Sequence, residues 1–377
     1  MRLESEVFEL LIDIMKEYLD HKGRKLKIGQ ENVQLLQSFA VRNKVDPVLY
    51  AQLLKTSRKL PGNHGEQFTN TRRLYLKRFE MLKDVIEEFE KKGIKYAVLK
   101  GAYLGDVAYG DLSLRKVNDV DILIRQENIK QIKEVCKECG FVPGKADRVN
   151  KKIEHYTRKQ EIAFARNTHQ IATMVKLGND DVIGFYDTVI DFNFKLSWGE
   201  YDGESILADE FLEHTEKFRD SNGYFYDVLK PAYNLVQLCL HAYKEANGLF
   251  FLQLNHGMFL RAFLDIYYYI VKMDQQLDSE LFLNLVRKYK IQSYVYFILF
   301  IIEEIFGREE RIHSLIQEVK DGAQTNIIEQ FGLEDKKNWN DVQIKERFYA
   351  TQAVSCMRQQ ITDTENEKIQ MAARDFY

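Results

Sequence analysis

The sequence predicts a mixed-sheet core of the α+β / α/β class, flanked by an N-terminal and a C-terminal helical region. Three observations lead there. Gly and Pro together number only 24 of 377 residues, about half of average usage, so most of the chain reads as helix. Ten of the 20 glycines nevertheless fall between Gly93 and Gly203, a 111-residue stretch. Within that stretch the hydrophobic period changes from helical to alternating. The expected parts are residues 1–92, 93–203 and 204–377.

The N-terminal part reads as amphipathic helices. In Ser5–Asp20 the residues Val7, Leu10, Leu11, Ile14, Met15 and Leu19 recur at helical spacing behind a serine cap. A second run covers Gln30–Asn43, and Asp46-Pro47 forms a cap-and-first-turn pair for a third. A long helix is expected over Gln67–Lys92. Its Tyr75, Phe79, Leu82, Ile86 and Phe89 make one apolar stripe, and Gly93 stands where a helix stops.

The middle part opens with Lys95–Leu99, a short apolar strand running into Lys100-Gly101. Val117–Arg125 alternates, with Val120, Ile122 and Ile124 on one face and Asp119, Asp121 and Leu123 on the other. Gln126–Cys139 reads as a helix closed by Gly140. Glu161–Arg166, Gln170–Lys176 and Thr188–Leu196 read as β segments, giving several non-sequential strands rather than a βαβ series. Helices return at Pro231, then over Phe259–Met273, Ser279–Tyr289 and 291–306.

Composition narrows the function classes. Hydrophobic residues make up 45%, charged residues 29%, and the net charge is −3. These values exclude a disordered or collagenous chain and give no support to a nucleic-acid partner, which usually meets a strongly basic domain. Four cysteines are too few for a disulfide scaffold. Charges run through the first 20 residues, leaving no signal-peptide core. The uncharged run Ile291–Ile302 has 12 residues, against about 20 for a bilayer crossing. A cytoplasmic protein with no membrane contact is expected; its oligomeric state is left open.

Chemistry concentrates in the middle part. Asp119 and Asp121, two apart on a strand, put both carboxylates on one face, roughly 6.6 Å apart along the chain. That pairing is costly without a cation between them. The alternative is two solvated acids on an open face. Lys100-Gly101-Ala102 joins a strand to a helix upstream, where a glycine lets backbone N–H groups approach a phosphate and Lys100 adds charge. Asp191, amid apolar residues in strand rhythm, is the expected third acid, with Asp187 as substitute. Three carboxylates can hold two Mg²⁺ ions roughly 3.5–4 Å apart.

Lys100-Gly101, Arg115, Asn118-Asp119-Val120-Asp121 and Asp191 resemble the polymerase-β-type nucleotidyltransferase superfamily. The chain is most similar to an uncharacterised bacterial branch in which an L-K-G turn precedes R-x-x-x-D-[IV]-D-[IL]-L, matched by Arg115–Leu123. Ala40–Leu53, Leu238–Lys244 and Leu264-Asp265-Ile266 extend the similarity over about residues 30–270. The resemblance implies a nucleotidyltransferase-type fold, Mg²⁺ as cofactor, and an NTP such as ATP as substrate. A nucleoside monophosphate would pass to a hydroxyl of an acceptor, whether small molecule, protein or tRNA. It implies Asp119, Asp121 and Asp191 as catalytic metal ligands, with Lys100, Gly101, Ala102 and Arg115 binding the nucleotide. Two positions depart from the pattern. Ala102 stands where a small hydroxyl or a second glycine is usual, and Asn193 where the branch often has a histidine. Both favour the alternative of a catalytically silent nucleotide-binding or scaffold protein.

Other residues carry bland and sharp readings side by side. Arg115 either neutralises triphosphate oxygens or pairs with Asp119 or Asp121. Arg72, Arg73, Lys77 and Arg78 form either a solvated helix face or a contact for NTP or acceptor. Gly144–Lys159 is read as a basic surface loop in which His155 and Tyr156 are interleaved, the alternative being a nucleic-acid contact. Cys136 and Cys139 lack the partners a zinc site needs and read as packing residues.

Overall fold

The computed structural model describes residues 2–19, 30–55, 64–168, 170–197 and 206–376; Asp20, Gly199 and Gly203 lie outside them. Two compact units result: Glu66–Asn234, and Met1–Gly65 together with Leu235–Asp375.

The discontinuous unit is helical. It contains α1 (Arg2–Leu19), α2 (Gln30–Arg42) and α3 (Asp46–Lys55). Phe8 of α1 is fully buried against Phe39, Phe348 and Tyr349, and Tyr268 Oη donates to the Met15 carbonyl at 2.5 Å. Asn43, just past α2, joins segments distant in sequence: its amide donates to the Phe39 carbonyl at 2.9 Å and accepts from Leu260 N at 3.0 Å. Burial of these aromatic and amide contacts explains why the segments before Glu66 and after Asn234 fold together.

The continuous unit begins with α4 (His64–Lys91), whose stripe Tyr75, Phe79, Leu82, Ile86 and Phe89 is buried as expected. The chain continues through β1 (Tyr96–Val98), α5 (Gly101–Val107), β2 (Val120–Ile124), α6 (Ile129–Glu138), β3 (Val142–Asp147), β4 (Lys152–His155), α7 (Arg158–Thr168), β5 (Met174–Asp180) and β6 (Gly184–Asn193). A mixed six-stranded sheet runs β1-β2-β6-β5-β3-β4. Only β2 and β6 pair in parallel; the other neighbours are antiparallel. The unit closes with α8 (Ala208–Leu212) and a hairpin of β7 (Thr215–Arg219) and β8 (Phe225–Leu229).

One sheet face is covered by α4. Phe89 stacks obliquely on Tyr96 and Phe192, Thr188 Oγ1 lies 3.2 Å from Met81 Sδ, and Gly178 leaves the room that Tyr186 and Met81 occupy. Alternation then turns Thr188, Ile190 and Phe192 inwards and leaves Asp187, Val189, Asp191 and Asn193 on the opposite face.

Three expectations need correction. Glu161–Arg166 lies inside helix α7, not in a strand. Thr157 and Gln160 explain it: Thr157 N donates to Gln160 Oε1 at 2.9 Å, and Gln160 N donates to Thr157 Oγ1 at 3.3 Å. This reciprocal cap starts a helix where the sequence alone reads as a β segment. Gly144–Lys159 is not a loop but chiefly the β3–β4 hairpin, whose turn is held by Asp147 accepting from Val149 N and Asn150 N. The β7–β8 hairpin was also missed, although Asp220-Ser221-Asn222-Gly223 is a turn signal. Asp220 accepts there from Asn222 N and Tyr224 N at 2.9 and 2.8 Å.

Phe89→Ala is expected to cost about 3–5 kcal/mol, because its ring joins α4 to both β1 and β6. Urea unfolding followed by the signal of the sheet unit would check this; an unchanged midpoint would place the stabilising contact elsewhere.

Candidate functional site

The β2–β6 pair brings two of the expected acids together. In parallel register Val120 pairs with Ile190, Asp121 with Asp191, and Ile122 with Phe192. Partners in register share a face about 4.8 Å apart, so both carboxylates project away from α4. Asp119 precedes the first residue of β2 and is exposed. It acts electrostatically on Asp191 together with Asp121.

On the other side of β2, Val98 pairs with Ile122, and Leu99 N donates to the Asp121 carbonyl at 2.8 Å. The chain then turns sharply. Lys100 takes φ 40° and ψ −128°, and Gly101 follows at φ 37°. Glycine adopts such angles freely and lysine does not. The turn sets the Gly101 Cα beside Asp119, where an added Cβ would lie 3.5 Å from Val117 Cγ1 and 3.9 Å from the Asp119 carbonyl oxygen. It also folds the Lys100 side chain back, so that Nζ reaches Asp121 Oδ2 at 2.9 Å with both groups largely enclosed. Ala102 continues into α5, which is only seven residues long. Arg115, buried, closes the short 3₁₀ turn Leu112–Leu114 ahead of Asp119.

The acids are differently served. Asp121 Oδ1 receives the Asn193 amide at 3.4 Å, a weak bond, beside the strong Lys100 pair. Asp191 Oδ1 accepts from Thr173 Oγ1 at 2.9 Å. Although Asp191 keeps some surface, protein encloses its carboxyl. Burial first, then the Asp119 and Asp121 charges, push it up to about 7 against the opposing pull of Thr173 and Lys100. The Tyr156 hydroxyl is raised too, by burial and then by the Asp191 charge.

Thr173, Tyr156 and Arg78 around the acids were not expected there. Thr173 carried a faint signal, an alternate position on a strand, but Tyr156 arrives through the unexpected β3–β4 hairpin. Asp187 is not a spare acid: Arg148 holds it through two bonds of 3.1 and 3.2 Å, and Arg78 NH2 lies 3.5 Å away. The basic face of α4 is spoken for as well. Arg73 forms two bonds to Asp180 at 2.7 and 2.9 Å, Lys77 pairs with Glu80, and Arg72 lies 3.6 Å from Asp111. Arg78 is 5% exposed. Cys136 is buried, with its thiol pushed upwards by burial, as a packing residue would be.

Among the described residues no three His, Cys, Asp or Glu side chains are drawn together into a ready metal-holding group, and no helix is long and apolar enough to cross a membrane. A family model described as an uncharacterised nucleotidyltransferase matches residues 29–307. No curated protein matches the chain.

The Asp191 carboxyl gives a pH signature in metal-free protein. In the unfolded chain it titrates near 3.9 and in the folded one near 7, so the folded state holds the proton more tightly. The stability this contributes is complete below the lower value and is lost as pH rises through 7. Asp191→Asn, still able to accept from Thr173, should therefore melt higher than the native chain at pH 8 in EDTA, with the gap narrowing at pH 5 and closing only below about pH 4. A variant that melts lower at both pH values would show that no such charge penalty exists.

Proposed function

Because the chain belongs to the family of uncharacterised nucleotidyltransferases, we propose that it transfers a nucleoside monophosphate from an NTP to an acceptor hydroxyl and releases pyrophosphate. The observation that carries this reading is the in-register placement of Asp121 and Asp191 on one sheet face, with Asp119 close enough to raise Asp191.

The donor set fits magnesium. It consists of carboxylate oxygens, which hard divalent cations prefer, and its mutual repulsion is what a cation relieves. Asp119, Asp121 and Asp191 would hold the metal. Magnesium bound there supplies Lewis-acid charge for the transferred phosphoryl group and the leaving pyrophosphate.

The chain's own residues do the rest. The Lys100-Gly101-Ala102 turn would receive the triphosphate. A seven-residue α5 offers little macrodipole, so the positive charge must come from Lys100 and Arg115. As the acceptor oxygen bonds to the α-phosphorus, the bond from that phosphorus to the β-phosphate oxygen breaks. The hydroxyl proton passes to Asp191, the carboxylate of the β2–β6 pair with which, among the described residues, no lysine or arginine pairs directly. Thr173 Oγ1 holds that carboxylate in place.

A second reading, a silent nucleotide-binding protein, is favoured by one arrangement. Lys100 and Asn193 already satisfy Asp121 from within the chain.

The two readings separate in one experiment. Each labelled NTP is incubated with protein, Mg²⁺ and a cell extract as acceptor source, and pyrophosphate release is followed. Release that falls to background in Asp119→Ala and Asp121→Ala is the expected result. Nucleotide binding without turnover would favour the silent reading, and absence of both metal and nucleotide binding would sink the two together.

A further inference from the structure

The β2–β6 ladder stops one residue short of the site. Its first pair is Val120 with Ile190; one residue further, Asp119 would stand beside Val189, but no pairing forms there. Main-chain hydrogen bonding between the strands therefore locates Asp121 and Asp191 and does not locate Asp119. Something else must.

Arg78 of α4 occupies the place where the ladder would continue. Its Nε donates to the main-chain carbonyl of Asp187 at 2.8 Å, and its NH1 donates to the main-chain carbonyl of Val117. One guanidinium thus ties a point four residues before Asp191 on β6 to a point two residues before Asp119 on the incoming segment. Its NH2 lies 3.5 Å from Asp187 Oδ1, and Arg148 holds the same carboxylate from the hairpin side. With its side chain only 7% exposed, Arg78 has little freedom to wander. A buried planar guanidinium with donors in fixed directions suits bridging two carbonyls; an ammonium group is a less directional substitute.

We propose that Arg78 is a positioning residue for Asp119: a side-chain extension of the β2–β6 pairing that sets this acid against Asp121 and Asp191. The inference rests on the reading of these acids as metal ligands. Arg78 acts in this reading through the main chain at Val117 and Asp187. Its role resembles that of the outer residues around other metal sites, whose loss typically costs about 10–100-fold in metal affinity.

The test uses the full chain freed of metal with EDTA. Mn²⁺ affinity and backbone hydrogen exchange over residues 115–119 are compared in the native protein, Arg78→Met and Arg78→Lys. Phe89→Ala controls for general destabilisation. The expected result is Mn²⁺ binding weakened about tenfold or more in Arg78→Met, faster exchange confined to 115–119, partial recovery in Arg78→Lys, and native Mn²⁺ affinity in folded Phe89→Ala. Native affinity or native exchange in Arg78→Met overturns the positioning role while leaving the metal-site reading intact. If the native protein binds no Mn²⁺, that reading fails, and with it the claim that Arg78 positions a ligand, whatever the exchange shows. Should Arg78→Met not fold, Arg78→Lys alone decides, since an ammonium that bridges one carbonyl at a time must still loosen 115–119.

Discussion

The structure depends on a conflict it cannot remove: acids sharing one sheet face in a setting that strips them of water. Parallel pairing of β2 with β6 imposes the arrangement on Asp121 and Asp191, because register partners must share a face. Charges this close repel strongly once the solvent that screens them is displaced. The surrounding residues manage that repulsion piecemeal. Lys100 neutralises Asp121, Asn193 adds a weak bond to it, Thr173 donates to Asp191, and Asp191 holds its proton towards neutrality. Each partner is a single, local answer, and together they leave the acids close and unreconciled. A protein selected only for stability would replace them.

The hydrophobic demand of the sheet falls on its other face. α4 covers the other face through Met81, Phe89 and the space left at Gly178, and so absorbs the hydrophobic demand of β5 and β6. At its own N-terminal half the same helix turns from packing to anchoring. Arg73 fastens Asp180 at one end of β5, and Arg78 fastens Asp187 and Val117. Charged residues that a helical projection assigns to solvent are here consumed by the carboxylates and carbonyls at the sheet margin. Exposed pairs contribute little to stability, but Arg78 and Asp187 are buried, and removal of Asp187 would take from Arg78 the carboxylate beside it, whereas Asp187 without Arg78 would still keep Arg148.

The legible part of this chain was the part governed by local periodicity. The stripe on α4, the alternation over Val120–Ile124, the proline at the start of the Pro231–Asn247 helix and the strand rhythm at Asp191 each follow from short-range side-chain spacing, and each lies where the sequence placed it. Asp119, expected on the same strand as Asp121, instead lies one residue ahead of that strand. Sheet order was not legible, since nothing local says that β6 inserts between β2 and β5. Asp191 was named as the third acid on chemistry alone; the register that sets it beside Asp121 is a long-range fact. Segments whose local signals compete were misread. Between Gly144 and Thr168 the side chains of Thr157 and Gln160 decided for a helix, and the turn chemistry of Asp147 decided for a hairpin. Arg78 was misread because a sequence cannot distinguish an arginine facing water from one facing two unpaired carbonyls.

Lys100 shows how closely turn geometry and site chemistry are bound together here. Its backbone occupies a region that costs a non-glycine residue about 1–3 kcal/mol, and nothing about the turn alone calls for lysine, since glycine would adopt φ 40° and ψ −128° without strain. From this conformation the side chain returns to Asp121 within 2.9 Å, an enclosed ion pair that offsets the strain. A glycine there would relax the backbone and abandon a largely enclosed carboxylate facing two others. An arginine would exchange a compact charge for a wide planar one in the tightest part of the turn. The lysine is thus set by electrostatics against the preference of its own backbone, while the adjacent Gly101, with Val117 and the Asp119 carbonyl close to its missing Cβ, meets the backbone's demand. Strain at one residue and freedom at the next bring a cation, a turn and two acids to one point.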